Sequence, residues 1–332
     1  MYGANLYART ASRIVARVAE FGVRGFPELV KHTRRQPWER YLDSARPVRL
    51  RVTCRKSRLY HSGAVAERVA EGIEKRVGTS RIEAIKSDNE ENASDGQLVI
   101  VRIAHDRCLL SVDTSAELLH RRGYREAAAK APIRETLAAA LLLAAEWRVQ
   151  TPLLDPFCGS GTIAIEGAML ARRIAPGLHR RFAFMEWPDF NEALWRRLHD
   201  EALSAVLPRA PAPIHGSDRD AGAVESARAN AERAGVADDI VFEKRALSTV
   251  QPPAEPGWVC TNPPYGVRVS GRAELRNLYA QLGKVLRAKF SGWNVAMFSA
   301  DARLERATGL TLRSVLRTTN GGIPVRIVKT TM

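Results

Sequence analysis

The residues best suited to chemistry lie at 261–266, Thr-Asn-Pro-Pro-Tyr-Gly, directly after a predicted strand. An amino group conjugated to a planar ring is a poor nucleophile, because its lone pair is delocalised. The Asn262 side-chain oxygen and the Pro263 carbonyl could accept both of its N–H bonds and turn the lone pair towards an electrophile. Two successive prolines hold this backbone rigid, and a base could stack on the ring of Tyr265. The candidate catalytic residues are therefore Asn262, Pro263, Pro264 and Tyr265.

A second motif, Asp-Pro-Phe-Cys-Gly-Ser-Gly-Thr at 155–162, stands between a short apolar strand and a predicted helix. Its small residues let a ligand approach the backbone, and the helix N-terminus favours acidic groups. A P-loop would need a lysine that is absent, and a dinucleotide site would need an acidic residue where His179 and Arg180 stand. S-adenosylmethionine carries a cationic ammonium that Asp155 at the strand end could bind. The motif therefore favours S-adenosylmethionine, with a plain strand-to-helix turn as the alternative.

An acidic motif at 216–220 follows the next predicted strand and precedes a predicted helix over 221–234. A carboxylate at this position can accept hydrogen bonds from both hydroxyls of a ribose, and Asp218 is our candidate for that role. The alternative use of Asp218 or Asp220 is to cap the helix, which is common for aspartate at helix starts.

Alternating helices and strands are predicted to position these motifs in the second half of the chain. A helix is predicted from Pro132 to Trp147, since proline is favoured in a first helical turn. Strands are predicted at 153–154, 214–215, 240–242, 258–261 and 294–298, followed by a pair at 312–319 and 323–329. Asn320-Gly321-Gly322 between the last two has the chemistry of a hairpin turn. This order predicts an α/β fold with a seven-stranded, doubly wound, Rossmann-like sheet.

The first half of the chain predicts a smaller α/β unit. Residues 1–45 are expected to form helices and turns, because several apolar residues recur there at helical spacing. These residues are Ile14, Val15, Val18, Ala19 and Phe21. A strand over 48–54, a helix over 64–77 and strands over 98–101 and 108–112 follow, with a turn at His105-Asp106. The polar stretch 82–95 is expected to be a loop, and the aromatic residues of 182–203 are expected to lie in a core.

The distribution of charge indicates a polyanionic partner. The chain of 332 residues is long enough for two domains and carries a net charge of +15. Residues 1–60 hold 14 Lys and Arg against 4 Asp and Glu, and residues 251–332 hold 12 against 4. Two basic ends are typical of nucleic-acid binding, although 42 Arg against 9 Lys is also typical of coding bias. The candidate RNA contacts in the basic link RRGYR are Arg121, Arg122 and Arg125.

The sequence also argues against several classes of protein. The longest apolar run, at 137–145, has about half of the roughly 20 residues that a membrane span needs. Arginines interrupt the apolar positions at the N-terminus, so a signal peptide is not expected. The four cysteines include no C-x-x-C pair, which argues against a disulfide framework and a metal site. We expect a cytoplasmic protein without metal or membrane contact.

Several segments resemble one family, the THUMP-domain-containing RNA guanine-N2 methyltransferases. DPFCGSGTIAIEGA at 155–168 and TNPPYG at 261–266 resemble its most specific motifs. The resemblance continues through 6–22, 57–61, 109–142 and 175–184, so it covers nearly the whole chain. It implies an enzyme that uses S-adenosylmethionine to methylate ribosomal or transfer RNA, with a class I methyltransferase domain behind a THUMP domain.

The resemblance also implies roles for individual residues and a domain order. Pro132 and Thr136 match the helix that closes over the methionine end of the cofactor. The cofactor loop matches Asp155, Pro156, Phe157, Cys158, Gly159, Ser160 and Gly161, with Asp218 at the ribose. Arg219 and Asn262 are further expected cofactor-binding residues. The expected domains are a partial ferredoxin-like segment (1–45), a THUMP-like RNA-binding domain (46–118), a linker with the closing helix (119–149) and the methyltransferase domain (150–332).

The chain departs from the family pattern at two places. Members usually begin with a longer segment that completes the ferredoxin-like domain, so either the true start lies upstream or a reduced platform presents the RNA. Members often have an aspartate for the adenine amine after the third strand, where Ala246 stands in this sequence. We expect Arg245 or backbone groups to make that contact instead.

Three functions remain open at this point. The first is methylation of the exocyclic N2 amine of a guanosine in ribosomal or transfer RNA. The second keeps the fold but targets adenine N6 or a protein glutamine, because these targets are also planar amines or amides. The third is a non-catalytic RNA-binding relative. Ala246 and the short N-terminus are the features that suggest it. The sequence does not indicate an oligomeric state.

Overall fold

The computed structural model describes residues 1–79, 81–85, 96–125, 133–265 and 271–332. These residues form two compact units, Met1–Leu119 with Arg180–Asp200, and His120–His179 with Glu201–Met332. We call them unit 1 and unit 2. In the described ranges, no helix is both long and apolar enough to cross a membrane.

Unit 1 is an α/β unit built on one five-stranded sheet within the described part of the chain. Its strands are β1 (Val15–Gly22), β2 (Val48–Arg55), β3 (Ile82–Ile85), β4 (Gln97–Ala104) and β5 (Arg107–Asp113). Its helices are α1 (Tyr2–Tyr7), α2 (Phe26–Arg34) and α3 (Ser62–Val77). The strand order is β1-β5-β4-β2-β3, with β2 parallel to β3 and β4, and β5 antiparallel to its neighbours.

The core of unit 1 lies between this sheet and α3. Alternation along β2 buries Val48 and Leu50, which are each 1% exposed, and sends the residues between them to the other face. Val69 and Ile73, one helical turn apart on α3, are fully buried. α3 ends where Gly78 adopts a φ of 73°, a left-handed conformation that favours glycine. The predictions of β2, α3, β4 and β5 are confirmed.

The prediction that residues 1–45 contain only helices and turns is wrong, because 15–22 form strand β1. The register between β1 and β5 shifts between Arg17 and Ala19, so Val18 is an extra residue in a bulge. A bulge inserts one residue into an alternating pattern. Apolar residues on the two sides of it are then three or four apart, which imitates the spacing of a helix.

The predicted loop at 82–95 is also wrong in part. Ile82–Ile85 form β3, a short edge strand parallel to β2. β3 contains charged and small residues, which made its sequence look like a loop. An edge strand tolerates them because only one of its sides pairs with a neighbouring strand. Residues 86–95 lie outside the described part of the chain.

An aromatic cluster completes unit 1 with residues from 180–200. The Tyr2 ring centroid lies 4.5 Å from that of Phe184 and 6.3 Å from that of Trp195. Trp187 donates a hydrogen bond of 2.7 Å to the Gln97 side chain. Phe184 is fully buried and the two tryptophans are at most 9% exposed. The prediction that these aromatic residues form a core is confirmed.

Unit 2 contains the seven-stranded sheet that the sequence predicts. Its strands are β6 (Leu153–Asp155), β7 (Ile214–Asp218), β8 (Ile240–Lys244), β9 (Trp258–Thr261), β10 (Asn294–Ser299), β11 (Arg313–Asn320) and β12 (Ile323–Thr331). The strand order is β11-β12-β10-β9-β6-β7-β8 within the described residues, and β12 runs antiparallel to both of its neighbours, β11 and β10. The doubly wound, Rossmann-like fold class is confirmed.

Six further helices follow α3 in the described chain. They are α4 (Glu135–Ala145), α5 (Thr162–Ala171), α6 (Glu192–Ser204), α7 (Ala221–Arg233), α8 (Arg272–Lys289) and α9 (Ala302–Ala307). α6 begins in the chain segment of unit 1 and ends in that of unit 2. The predicted closing helix corresponds to α4, which begins at Glu135; Pro132, its predicted start, lies outside the described residues.

Candidate functional site

The two predicted motifs come together at one edge of the unit 2 sheet. β6 and β9 are parallel neighbours, so the loops that follow them begin side by side. Asp155 ends β6 and Thr261 ends β9. The Thr261 hydroxyl donates a hydrogen bond of 2.6 Å to Asp155 Oδ1, and both residues are buried. This is the edge at which open α/β sheets bind ligands.

Burial dominates the electrostatics of Asp155, which is 1% exposed. It raises the pKa of the carboxyl from 3.8 to about 7, and the carboxylate of Asp218 adds to the rise. Hydrogen bonds from the Thr261 hydroxyl and, at 3.1 Å, from the Phe157 backbone N–H oppose the rise, because they favour the ionised form. A cation bound at this carboxylate would lower its pKa again.

The loop after β6 leaves part of its backbone open to a ligand. Gly159 has a φ of 50°, and no described atom lies within 4 Å of the place that a Cβ would take. Gly161, with a φ of 83°, packs closely instead, since a Cβ there would lie 2.9 Å from Ala227 Cβ and from Phe242 Cζ. Its N–H donates to the Cys158 carbonyl at 2.8 Å, and α5 begins at the next residue. The left-handed backbone therefore favours glycine at both places, and close packing requires it at Gly161.

Asp218 bridges this loop to the loop after β7. Its Oδ2 accepts a hydrogen bond of 3.0 Å from the Gly159 N–H, and its Oδ1 accepts one of 3.0 Å from the Asp220 N–H. Asp220 caps α7 by accepting a hydrogen bond of 2.9 Å from the Gly222 N–H. Of the two uses that the sequence left open, the structure shows only helix capping, and the ribose role of Asp218 stays a prediction. Asp220 caps the helix, and Asp218 remains a half-buried carboxylate beside the glycine loop.

Asn262 presents a buried acceptor that the described residues leave unsatisfied. Its Oδ1 has no hydrogen-bond partner among them. The side chain starts from a fixed backbone, because Thr261 is held by Asp155 and the following Pro263 is buried and rigid. An unsatisfied buried oxygen costs about 1–3 kcal/mol. A donor supplied by a ligand would therefore stabilise this site.

Tyr265, the last described residue of the 261–266 motif, is half-buried. Its ring packs against the core cluster that includes Val259 and Tyr279. Its hydroxyl accepts a hydrogen bond of 2.8 Å from Asn320 Nδ2. Burial raises the pKa of the hydroxyl, and the bond from Asn320 opposes the rise. The phenol is therefore neutral near pH 7, and the flat ring suits the predicted stacking role.

The other predicted cofactor-binding residues lie around the glycine loop and on neighbouring elements. Arg219 is exposed, and Arg245 forms an ion pair of 2.7 Å with Glu243. Thr136 is 6% exposed within α4. Pro132 lies outside the described residues, and the cofactor roles of the others stay predictions. The loop residues Pro156, Phe157, Cys158 and Ser160 are buried or half-buried.

Arg122, which the sequence predicts to contact RNA, lies in the interior of unit 2. Its side chain is 1% exposed and approaches Glu166, whose side chain is fully buried, at 3.3 Å. The Tyr124 hydroxyl also donates to Glu166, at 3.4 Å. The prediction is wrong for Arg122 because Glu166 on the apolar helix α5 needs a buried cation. A single glutamate within Thr-Ile-Ala-Ile-Glu-Gly-Ala-Met-Leu-Ala was the sequence signal for this partner.

Arg125, a second predicted RNA contact, also serves the interior. Its Nη2 donates to the Ile133 carbonyl at 2.9 Å and to the Thr162 hydroxyl at 2.7 Å. Glu135 lies 3.5 Å away, and the Arg125 side chain is 14% exposed. Arg125 therefore joins the start of α4 to the start of α5 and is not presented to phosphate. Arg121 is half-buried, and its RNA contact stays a prediction.

The described residues hold no group of His, Cys, Asp and Glu arranged for a metal ion. The groups described at the sheet edge are carboxylate, amide, hydroxyl and backbone groups.

A family described as UPF0020, RMKL-like methyltransferase domain, matches residues 122–328. A protein of Synechocystis sp., named as a candidate RNA methyltransferase, is 32% identical over 330 residues, which are 99% of this chain and 85% of that protein. This chain belongs to the RMKL-like methyltransferase family. The ribosomal RNA large subunit methyltransferase K/L of Syntrophotalea carbinolica is 36% identical over 335 residues. They cover 97% of this chain, which spans about half the length of that relative (46%).

The fold of this RMKL-like methyltransferase is shared with solved structures. SMU.472, named as a methyltransferase candidate and solved in complex with S-adenosylhomocysteine (SAH), matches with a TM-score of 0.83 and 29% identity. The match covers 99% of this chain and 86% of that chain. The methyl donor of this family and fold is S-adenosylmethionine, so the predicted cofactor is confirmed.

We expect Glu166→Ala to lower the free energy of unfolding of this methyltransferase by about 3–5 kcal/mol, because it leaves Arg122 buried without its carboxylate. Urea denaturation followed by circular dichroism measures the change. Glu232→Ala, on the exposed side of α7, is the matched control and should stay within about 0.5 kcal/mol of the wild type.

A double variant separates a charge effect from a packing effect at the same place. Arg122→Met with Glu166→Leu replaces both charges by apolar side chains, and we expect it to recover most of the lost stability. A double variant as unstable as Glu166→Ala would assign the loss to packing and not to an unpaired Arg122. A loss of less than about 1 kcal/mol in Glu166→Ala would contradict a stabilising buried pair.

Proposed function

We propose that the chain methylates RNA, and that its acceptor is the exocyclic N2 amine of a guanosine. The observation that carries this proposal is the buried Oδ1 of Asn262, which lacks a partner among the described residues at the end of β9. An exocyclic amine has two N–H donors and a delocalised lone pair. Its binding would satisfy the orphaned oxygen and orient the nitrogen in one step.

The residues of the 261–266 motif divide the work on the target base. The Asn262 Oδ1 accepts one N–H of the amine, and the Pro263 carbonyl accepts the other, so the nitrogen lone pair points out of the plane of the base. Tyr265 provides the stacking face, a contact worth about 1–3 kcal/mol per base. After transfer the nitrogen releases one proton, for which these two oxygens and water are acceptors. The rate depends on the alignment of the amine nitrogen with the methyl group and on the exclusion of water, and no acid–base pair is needed.

The cofactor fits the edge formed by the loops after β6 and β7. When bound, S-adenosylmethionine supplies a methyl group already made electrophilic by its sulfonium. Asp155 binds the ammonium of the methionine part, and the half-buried Asp218 accepts hydrogen bonds from the ribose hydroxyls. The open backbone at Gly159 allows the close approach that these contacts need. Arg125 supports this edge by holding the start of α4 to Thr162.

A basic sheet surface in unit 1 supports RNA as the substrate. The arginine face consists of the sheet side chains that point away from the buried Val48 and Leu50. Strand register brings together Arg17, Arg49, Arg51, Arg55, Arg102 and Arg107 on it. Glu20, Glu83 and Asp113 share the face with these arginines. Because the arginines outnumber the three carboxylates, the net charge of the face is positive. A surface of this kind suits the phosphate backbone of RNA.

The names of the relatives support ribosomal RNA as the class of RNA. The K/L relatives are named as ribosomal RNA large subunit methyltransferases, and we propose ribosomal RNA as the first substrate to test, with transfer RNA as the alternative. Adenine N6 and protein glutamine remain the competing acceptors, because the same motif suits all three. A cytoplasmic location and an RNA-binding role for a THUMP-like domain stay predictions.

We expect Asn262→Ala to reduce methyl transfer by about 100-fold or more, since it removes a preorganised group at the reacting nitrogen. Transfer of labelled methyl from S-adenosylmethionine to separated ribosomal and transfer RNA measures it. SAH affinity, measured by calorimetry, should stay within about threefold of the wild type. Normal turnover by Asn262→Ala would remove Asn262 from catalysis.

Mass spectrometry of the digested product tests the acceptor. N2-methylguanosine in RNA supports the proposal, whereas N6-methyladenosine or methylated glutamine in a protein fraction would replace it. A wild-type protein that fails to bind SAH would favour a non-catalytic relative.

The raised pKa of Asp155 gives the cofactor affinity a pH dependence. The ionised carboxylate binds the ammonium, and burial raises its pKa to about 7. The affinity for SAH should therefore rise about tenfold per pH unit up to about pH 7 and level off above it. Calorimetric titrations between pH 5.5 and 8.5 measure this. Asp155→Asn should bind SAH weakly and without that slope; the same slope in this variant would assign the titration to another group.

We expect the double variant Arg55→Ala/Arg102→Ala to weaken RNA binding and to lower its salt dependence. Each lost phosphate contact reduces the slope of log K against log salt by about 0.7–0.9. Filter binding of ribosomal RNA at several salt concentrations gives the slope. Arg34→Ala/Arg68→Ala, with both residues exposed on α2 and α3, removes the same charge elsewhere in unit 1. Equal losses in the two double variants would contradict a defined RNA surface.

A further inference from the structure

Two distant parts of the unit 2 sheet are joined at Tyr265. The hydrogen bond of 2.8 Å from Asn320 Nδ2 to the Tyr265 hydroxyl spans 55 residues of chain. Tyr265 follows β9, whereas Asn320 is the last residue of β11, at the turn of the β11–β12 hairpin. The end of the hairpin therefore reaches the motif that we propose to hold the target base.

The turn itself does not need the Asn320 side chain. A hairpin turn of this type requires positive φ at its two central residues. Those residues are Gly321 and Gly322, with φ values of 56° and 83°. Asn320 keeps extended strand geometry and pairs with Ile323 across the hairpin. The sequence pattern Asn-Gly-Gly predicted the turn, but the glycines satisfy it, and the asparagine amide is left for Tyr265.

The rest of the Tyr265 ring has limited support. The ring packs against the core cluster on one side and is half-buried overall. A tyrosine held only by such packing could swing about its two side-chain torsions. The hydrogen bond from Asn320 fixes the far end of the ring. A fixed ring meets a base without losing further side-chain freedom on binding.

We propose that Asn320 is a positioning residue, which holds the plane of the Tyr265 ring so that the target base stacks on it. The proposal rests on the RNA methyltransferase function proposed above and extends it to a residue outside both motifs. It also gives the β11–β12 hairpin a place in substrate binding, since a displacement of the hairpin end would move the stacking ring.

The main experiment compares Asn320→Ala, Tyr265→Phe and the double variant in the full chain. Each single variant should lower kcat/KM for ribosomal RNA about threefold to tenfold. A change of this size is expected for the loss of one neutral hydrogen bond. KM for S-adenosylmethionine and SAH affinity should not change. The double variant should be no worse than either single variant, because both remove the same bond. Multiplying effects, or an equal loss of SAH affinity, would overturn the proposal.

Two further variants separate positioning from folding. Thr319→Ala, at the exposed residue before Asn320 in β11, should leave kcat/KM unchanged. Tyr265→Ala should lose more activity than Tyr265→Phe, because it removes the stacking face as well as the bond. If Tyr265→Phe and Tyr265→Ala were equally impaired, the ring would have no stacking role for Asn320 to support.

A binding measurement keeps the test independent of methyl transfer. A short single-stranded RNA with 2-aminopurine at the target position loses fluorescence when its base stacks on an aromatic ring. Wild-type protein should quench it, and Asn320→Ala should quench it less at saturating protein. Quenching without methylation would contradict the proposed reaction but leave the positioning role standing. Methylation by the wild type with equal quenching by Asn320→Ala would contradict the positioning role alone.

Discussion

The hydrogen bond between Thr261 and Asp155 is the contact on which the geometry of the site depends. It joins the last residues of two neighbouring parallel strands, in a buried region where such a bond is strong. The glycine loop begins directly after Asp155, and Asn262 follows Thr261. The bond therefore fixes the separation between the glycine loop and the 261–266 motif, which we propose to bind the cofactor and the target base. A reaction that depends on the alignment of two molecules needs this rigidity more than it needs a titrating group.

Most of unit 2 could be predicted from the sequence because its elements obey simple local rules. Buried parallel strands are short apolar runs, and turn glycines mark their ends. The motifs could be assigned to the strand ends for the same reason, and β6 and β9 are neighbours as expected. The sequence failed to predict strand β1, because a bulge at Val18 breaks the alternation on which strand prediction depends. Local spacing cannot distinguish a bulged strand from a helix.

The interior charges could not be predicted, because their partners are remote in sequence. Arg122 and Arg125 stand in a basic run that is typical of a surface, yet they meet Glu166 and Thr162, 44 and 37 residues further on. The hydroxyl partner of Tyr265 was equally hidden, since Asn320 has an ordinary role in a turn. Sequence motifs thus identified the groups that we propose to face the ligands, whereas the groups that hold them in place could be found only from the fold.

The division of the chain between its units has a consequence for biosynthesis. Tyr2 packs on Phe184 and Trp195, which leave the ribosome only after β6 and α5 of unit 2 have been made. A nascent chain that ends near residue 119 has every described strand of unit 1 but lacks part of its aromatic core. That part of its apolar surface stays uncovered during the synthesis of about 80 more residues, an interval in which exposed apolar surface favours aggregation.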